Sequence, residues 1–313
     1  MGRIPTLCPV RIATFNINGI RAAQRRGFED WLGEREPDVV ALQEVRARAA
    51  AIPPGVFGRY HLAYDEGEFA GRNGVAILTR CAPVAVRTWS GTALVQAPGE
   101  THIERVELEP EPLARGLGEF ANHGRYIEVD LAESPITVIS MYLPKGGLPA
   151  HLQKPGRMRE APDGGVRYDR KMRFLSAFAR QLTRSRRTAR ARGRELLLMG
   201  DLNIAHTRYD VRNWRRSNQA EGYLPEEREW FDSIVSPRTL VDVVRRHHPD
   251  VDGPYSWWSW LGKSFVNDVG WRIDYHLATP QLARTAVTAG TDRDPAADRR
   301  MSDHAPVVVD YEF

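Results

Sequence analysis

Short apolar runs, many of them β-branched, recur along the whole of this 313-residue chain, and most stop abruptly on an acid, an amide or a histidine. Runs of that length read as buried strands. They fall at 10–15, 39–42, 75–78, 84–86, 126–131, 136–142, 196–199, 273–278 and 307–311. Between some of them the apolar spacing becomes helical. Segment 20–36 gathers Ala23, Phe28, Trp31 and Leu32 on one face and ends before Pro37. Segment 168–192 does the same with Met172, Leu175, Phe178 and Leu182 and ends at Gly193. Pro225 opens another helix with Glu226 and Glu227 in its first turn, and 240–248 is a further one. Many strands, few helices and no linker predict one layered α/β unit, two packed sheets flanked by helices. Segments 97–124 and 145–167 read as long loops.

Composition excludes several classes. Hydrophobic residues at 42% and charged residues at 27% fit a globular chain rather than a disordered one. No apolar stretch approaches the ~20 residues of a membrane helix, and the first ten residues lack a signal-peptide core. The Met1-Gly2 start fits a loose myristoylation pattern, read as coincidence because a strand follows at once. Two cysteines, Cys8 and Cys81, give no disulfide framework or zinc spacing and suit a reducing cytoplasm. A net charge of +4 permits a polyanionic partner. The arginine-rich run 180–194 reads as a solvated helix face with cations at its C-terminal end.

The strand ends carry the chemistry. One run stops at Asn16 and Asn18, another at Gln43-Glu44, another at Tyr142, another at Asp201 and Asn203, and Ser302-Asp303-His304 precede the last. Side chains at strand ends are rigidly placed, so these ends together predict a shared polar pocket. Its acids and amides are hard oxygen donors suited to Mg²⁺ or Mn²⁺. There is no G-x-S-x-G elbow and no H-E-x-x-H helix. Gly262-Lys263-Ser264 resembles the end of a P-loop, but Trp257 stands where its first glycine belongs. Phosphodiester hydrolysis would use the remaining groups well: a metal on the phosphate, a carboxylate for the water, and amide or imidazolium donors for the developing charge.

Several motifs, taken in order, are recognisable. They are Thr14-Phe15-Asn16-Ile17-Asn18-Gly19, Leu42-Gln43-Glu44, Gly200-Asp201-Leu202-Asn203, Pro225-Glu226-Glu227-Arg228-Glu229-Trp230, Gly270-Trp271-Arg272-Ile273-Asp274 and Ser302-Asp303-His304. With these the chain resembles the exonuclease III family of AP endonucleases, within the endonuclease/exonuclease/phosphatase superfamily. The resemblance implies a single domain over 1–313 with the DNase I-like fold, a four-layer α/β sandwich of two mostly antiparallel sheets. It implies a Mg²⁺-dependent nuclease acting on duplex DNA at abasic sites and 3′ ends, with Mn²⁺ able to substitute, working as a monomer. Glu44 then corresponds to the principal metal ligand, with Asn18 and Asp303 beside it. Asn16 and Asn203 correspond to phosphate-orienting amides, Asp201 to the water-activating group and Tyr142 to a phosphate or metal-site partner. His304 corresponds to the phosphate-polarising histidine, paired with Asp274. Trp257 and Trp271 correspond to the walls of a pocket for a flipped-out sugar, and Leu261 to a wedge. Arg208, Arg212, Arg215 and Arg216 are expected phosphate contacts, with solvated loop charge as the equal alternative.

The two long loops depart from the family pattern and leave open whether abasic-site incision or 3′→5′ trimming dominates. Two other readings compete. One is a superfamily hydrolase acting on RNA or a phospholipid head group; the other is a nucleic-acid binder without catalysis.

Overall fold

The computed structural model describes residues 9–69, 71–109, 111–156 and 160–313. Cys8 and the Met1-Gly2 pattern lie outside the described residues. The strands are β1 (Val10–Asn16), β2 (Val39–Gln43), β3 (His61–Asp65), β4 (Val75–Thr79), β5 (Ala85–Thr88), β6 (Thr92–Gln96), β7 (Glu104–Glu107), β8 (Tyr126–Asp130), β9 (Ile136–Tyr142), β10 (Glu195–Asp201), β11 (Val241–Asp242), β12 (Asp274–Ala278), β13 (Ala286–Thr291) and β14 (Val307–Tyr311). The helices are α1 (Ile20–Arg25), α2 (Phe28–Arg35), α3 (Val166–Ala191), α4 (Trp214–Ser217), α5 (Pro225–Ile234), α6 (Val243–His247) and α7 (Pro280–Arg284).

Two sheets form, ordered β13-β14-β1-β2-β4-β3-β6-β7 and β11-β12-β10-β9-β8-β5. All their pairings are antiparallel except β1 with β2 and β9 with β10. The two-residue period of a strand assigns each side chain to a layer. Ile12, Ala41, Ile77, Val129, Val138, Leu197 and Met199 fill the space between the sheets. Their neighbours Ala13, Phe15, Val40 and Leu42 point outward and pack on Phe28 and Trp31 of α2. On the opposite outer face, Met141, Leu196 and Leu198 meet Phe174, Phe178 and Leu182 of α3 and Phe231 of α5. Three apolar layers therefore separate four structural ones, the sandwich the sequence predicts. Strands covered on both faces read as continuous apolar runs, which is why they are conspicuous in the sequence.

The differences from expectation have physical causes. Segment 20–36 is two helices, because Gly27 takes a left-handed φ of 96° and turns the chain between α1 and α2. Segment 240–248 yields two residues to β11, which pairs with Leu277 and Ala278 before α6 begins. Strands β3, β6, β7 and β13 are additional, β7 and β13 being the two edges of their sheet, without a long apolar run. The loop 97–124 contains β7 and buries Leu117 and Phe120. The arginines of α3 are also more than a solvated face. Arg180 donates to the Arg115 carbonyl at 2.8 Å and Arg184 to that of Pro112 at 2.5 Å, so they pin this loop.

Candidate functional site

The two parallel pairs decide where the site forms. In the first sheet, β1 and β2 end side by side, with Asn16 opposite Gln43 and Glu44 one residue beyond. In the second, β9 and β10 end together and β12 starts beside them, so Asp201 is flanked by Tyr142 on one side and Asp274 on the other. The turn before β14 brings Ser302–His304 to the same end, because Thr14 of β1 pairs with Val307.

A continuous polar chain crosses from one sheet to the other. Asn16 Nδ2 donates to Glu44 Oε1 at 3.0 Å and to Asp201 Oδ2 at 2.9 Å. His304 Nε2 stands 3.8 Å from that same Asp201 oxygen, and His304 Nδ1 is 2.8 Å from Asp274 Oδ2. The turn after β10 folds back on its acid: the Asn203 amide donates to Asp201 Oδ1 at 2.8 Å, with Asn203 at a left-handed φ of 48°. Asn203 Nδ2 is anchored on the Leu143 carbonyl at 3.0 Å. Serine hydroxyls brace the turns. Ser302 Oγ donates to the Asn16 carbonyl at 2.8 Å, and Ser256 Oγ accepts from the amides of Ile273 and Asp274.

Burial and charge oppose each other here. Burial alone would push the His304 imidazole down, but Asp274, with Asp201 and Asp303 behind it, raises it to about 10. His304 is therefore an imidazolium at neutral pH. Burial raises the Asp201 carboxyl above its ordinary value; the charges of Asp274 and Glu44 add to this and that of His304 opposes it. Burial likewise raises the Tyr142 phenol, reinforced by Glu44 and Asp201, while the Arg125 guanidinium lies 5.0 Å from its ring.

Two groupings bear on metal binding. Asp201, Asp274 and His304 offer ligand atoms within 4.8 Å of one another. A protonated imidazole is no ligand, so this triad suits proton handling better than coordination. Asp274 Oδ1 is buried without a hydrogen-bond partner, which adds to the negative potential of the pocket. The other corner offers the oxygens of Glu44, Asn18 and Asp303. Asn18 Nδ2 donates to Asp303 Oδ1 at 2.7 Å, with Glu44 beside it across Arg46. Its carboxylate and amide oxygens fit a hard divalent cation. Arg46, which the sequence reading passed over, ion-pairs with Glu44 and donates to Asn18 Oδ1. Its place two residues after Glu44 was the available signal.

The aromatic segment adjoins this corner. Trp257 and Trp271 meet edge to face with ring centroids 6.5 Å apart. Trp257 Nε1 donates to Asp303 Oδ2 at 3.1 Å, so the aromatic wall is tied to the acidic cluster. Trp258 and Phe265, by contrast, are buried core. Leu261 is exposed, as a wedge requires, and the neighbouring Trp260 lies under the Arg300 guanidinium at 3.9 Å. Val211 bridges to Trp271, which brings the loop of Arg208 and Arg212 alongside the aromatics. Arg208 bonds to the Tyr209 hydroxyl at 2.7 Å and Arg212 pairs with Asp252 at 3.2 Å. Arg215 stacks on Trp214, and Arg216 is exposed.

The family model described as Endonuclease/Exonuclease/phosphatase family matches residues 13–304, from β1 to the site histidine. The chain belongs to that family. Among its curated members, Exodeoxyribonuclease III of Haemophilus influenzae is 27% identical over 97% of this chain and all of its own length. A DNA-(apurinic or apyrimidinic site) endonuclease of Dictyostelium discoideum is 24% identical over 96% of this chain and 70% of its own. The solved AP endonuclease of Archaeoglobus fulgidus superposes with a TM-score of 0.74 at 26% identity, covering 97% of this chain and all of that one. The match spans strands of both sheets, and every residue of the polar pocket from Asn16 to His304 lies within it.

Proposed function

We propose that this protein is a DNA repair nuclease that hydrolyses phosphodiesters in duplex DNA, incising 5′ to abasic sites and removing nucleotides or blocking groups from 3′ ends. The observation that carries this reading is the unbroken chain Glu44–Asn16–Asp201–His304–Asp274, with an aromatic wall fastened to its rim through Trp257 and Asp303. Relatives named for exodeoxyribonuclease III and abasic-site endonuclease activity support it.

Glu44, with Asn18 and Asp303, would hold a Mg²⁺ ion, for which Mn²⁺ substitutes. Bound there, the ion supplies positive charge to the scissile phosphate and the leaving oxygen. The His304 imidazolium donates to a phosphate oxygen, and Asp274 keeps it protonated and oriented. Asp201, with a raised proton affinity, accepts the proton of the attacking water. Asn16 fixes the Asp201 oxygen that faces His304, and Asn203 and Tyr142 border the phosphate. Trp257 and Trp271 receive the sugar of an abasic nucleotide, whose extrusion costs least because no base is stacked. Leu261 enters the duplex, and Arg208 and Arg212 meet its backbone. We read the protein as a cytoplasmic monomer; no helix among the described residues is long and apolar enough to cross a membrane.

The test is cleavage of a duplex carrying one abasic-site analogue, with and without Mg²⁺, by wild type and by Asp201→Asn. Magnesium-dependent incision 5′ to the lesion, lost in the variant, is the expected result. A folded wild type that leaves the duplex uncut with either metal overturns the reading and turns attention to RNA and phospholipid substrates.

A further inference from the structure

The motif Pro225-Glu226-Glu227-Arg228-Glu229-Trp230 contributes no side chain to the pocket described above, and its Glu227 is buried in α5, within the helix layer on the second sheet's outer face. Its partner is Lys171 of α3, equally buried, with Nζ 2.6 Å from Glu227 Oε1. Two full charges out of water are costly, and an apolar pair of similar volume generally serves stability as well. A second contact gives this pair a purpose. Lys171 Nζ also donates to the main-chain carbonyl of Asn203 at 3.0 Å. Glu227 is itself immobile, because its other oxygen, Oε2, accepts from the Leu224 amide at the start of α5 at 3.0 Å.

The Asn203 turn is thus held from several directions. Its amide is tied to Asp201, its side chain to Leu143 and its carbonyl to Lys171. The next carbonyl, Ile204, accepts from the Tyr275 hydroxyl at 2.8 Å, and the Ala205 amide donates to Gly222 at 2.8 Å. Of these ties only the ammonium reaches the Asn203 peptide from the helix layer. We propose that Lys171 and Glu227 are positioning residues: the pair transmits the fixed packing of α3 against α5 to the Asn203 carbonyl, and so holds the turn whose Asn203 N–H in the preceding peptide orients the Asp201 carboxylate. This rests on the nuclease reading of the site.

The test uses the full chain with the double substitution Lys171→Met/Glu227→Gln, which removes both charges together and keeps an acceptor for the Leu224 amide. A single Lys171→Met would strand a buried carboxylate and confuse folding with positioning. The double variant is expected to melt near wild type. Its kcat on the abasic duplex should fall by between about tenfold and a hundredfold with KM little changed, the cost of a slightly misplaced group. Amide hydrogen exchange across 201–206 should quicken whether or not DNA is present. Unchanged exchange across 201–206, or a kcat that stays at the wild-type value, overturns the proposal. Quickened exchange in a protein whose wild type cuts no DNA sustains the positioning role and sinks the nuclease reading instead.

Discussion

Asp274 Oδ2 lies 2.8 Å from His304 Nδ1, and its worth is the proton it keeps there. Asp274→Asn removes the charge that raises the imidazole while leaving the burial that lowers it. The imidazolium should then lose its proton at a lower pH. The alkaline limb of the pH–rate profile is expected to move toward neutrality, and kcat at pH 7.5 to fall on the order of a thousandfold. A profile that keeps its alkaline limb would show that His304 holds its charge by other means. Trp257 makes a second residue-scale prediction. Trp257→Phe keeps an aromatic wall but removes the donor to Asp303. The loss, read as weaker Mn²⁺ binding by calorimetry and a raised KM for abasic duplex, should be about tenfold to a hundredfold, as for an outer hydrogen bond to the proposed metal ligand.

Between the elements, a buried ionic knot matters more than any one cap. Arg272, on the approach to β12, bonds to Asp210 at 2.7 Å and to Asp242, at the junction of β11 and α6, at 2.7 Å; Arg245 of α6 completes it through Asp210. Burial penalises the Asp210 charge, but Arg272 and Arg245 outweigh it and hold the carboxyl down at about 2. A depressed acid stabilises the fold above its ordinary value near 4 and loses that contribution as the pH falls toward about 2. Arg272→Met should cost about 3–5 kcal/mol in urea unfolding at pH 7, because it leaves Arg245 alone to balance the carboxylates of Asp210 and Asp242. It should also flatten the acid dependence. At this scale the sequence was legible where strands end. Asn16, Glu44 and Asp201 stand out because apolar runs deliver them and strand register aligns them, whereas Asp274 opens its strand and stands out through the motif Gly270-Trp271-Arg272-Ile273-Asp274. Lys171 did not, since one lysine in an arginine-rich helix looks like any solvated cation until its neighbours are placed. Strands β7 and β13 stayed hidden because sheet edges need no apolar run, and Gly27 gave no warning that the 20–36 helix would break.

For the molecule as a whole, two buried histidines set opposite limits. His276, between Tyr311 and the Val307 carbonyl, is pushed down to about 3 by burial. The unfolded chain therefore binds its proton first, and stability should fall as the pH drops from about 6.5 toward 3. His304 is raised, so its contribution is complete below about 6.5 and is lost as the pH rises toward 10. Unfolding free energy measured across pH should peak near neutrality, and His276→Gln should weaken the acid slope without touching the alkaline one. An unchanged acid slope would assign that limb to the carboxylates alone. The pairing of β1 with β14 carries a different consequence. A ribosome that has released residue 200 has delivered Asn16 and Glu44, but Asp201, Asp274 and His304 are still to come. The first strand must wait beside an unfinished sheet until the codons of β14 have been read, a long-range closure that slows folding. A half-made chain therefore carries no complete cutting site, and the nucleic acids surrounding its synthesis meet an assembled pocket only when the final strand has docked.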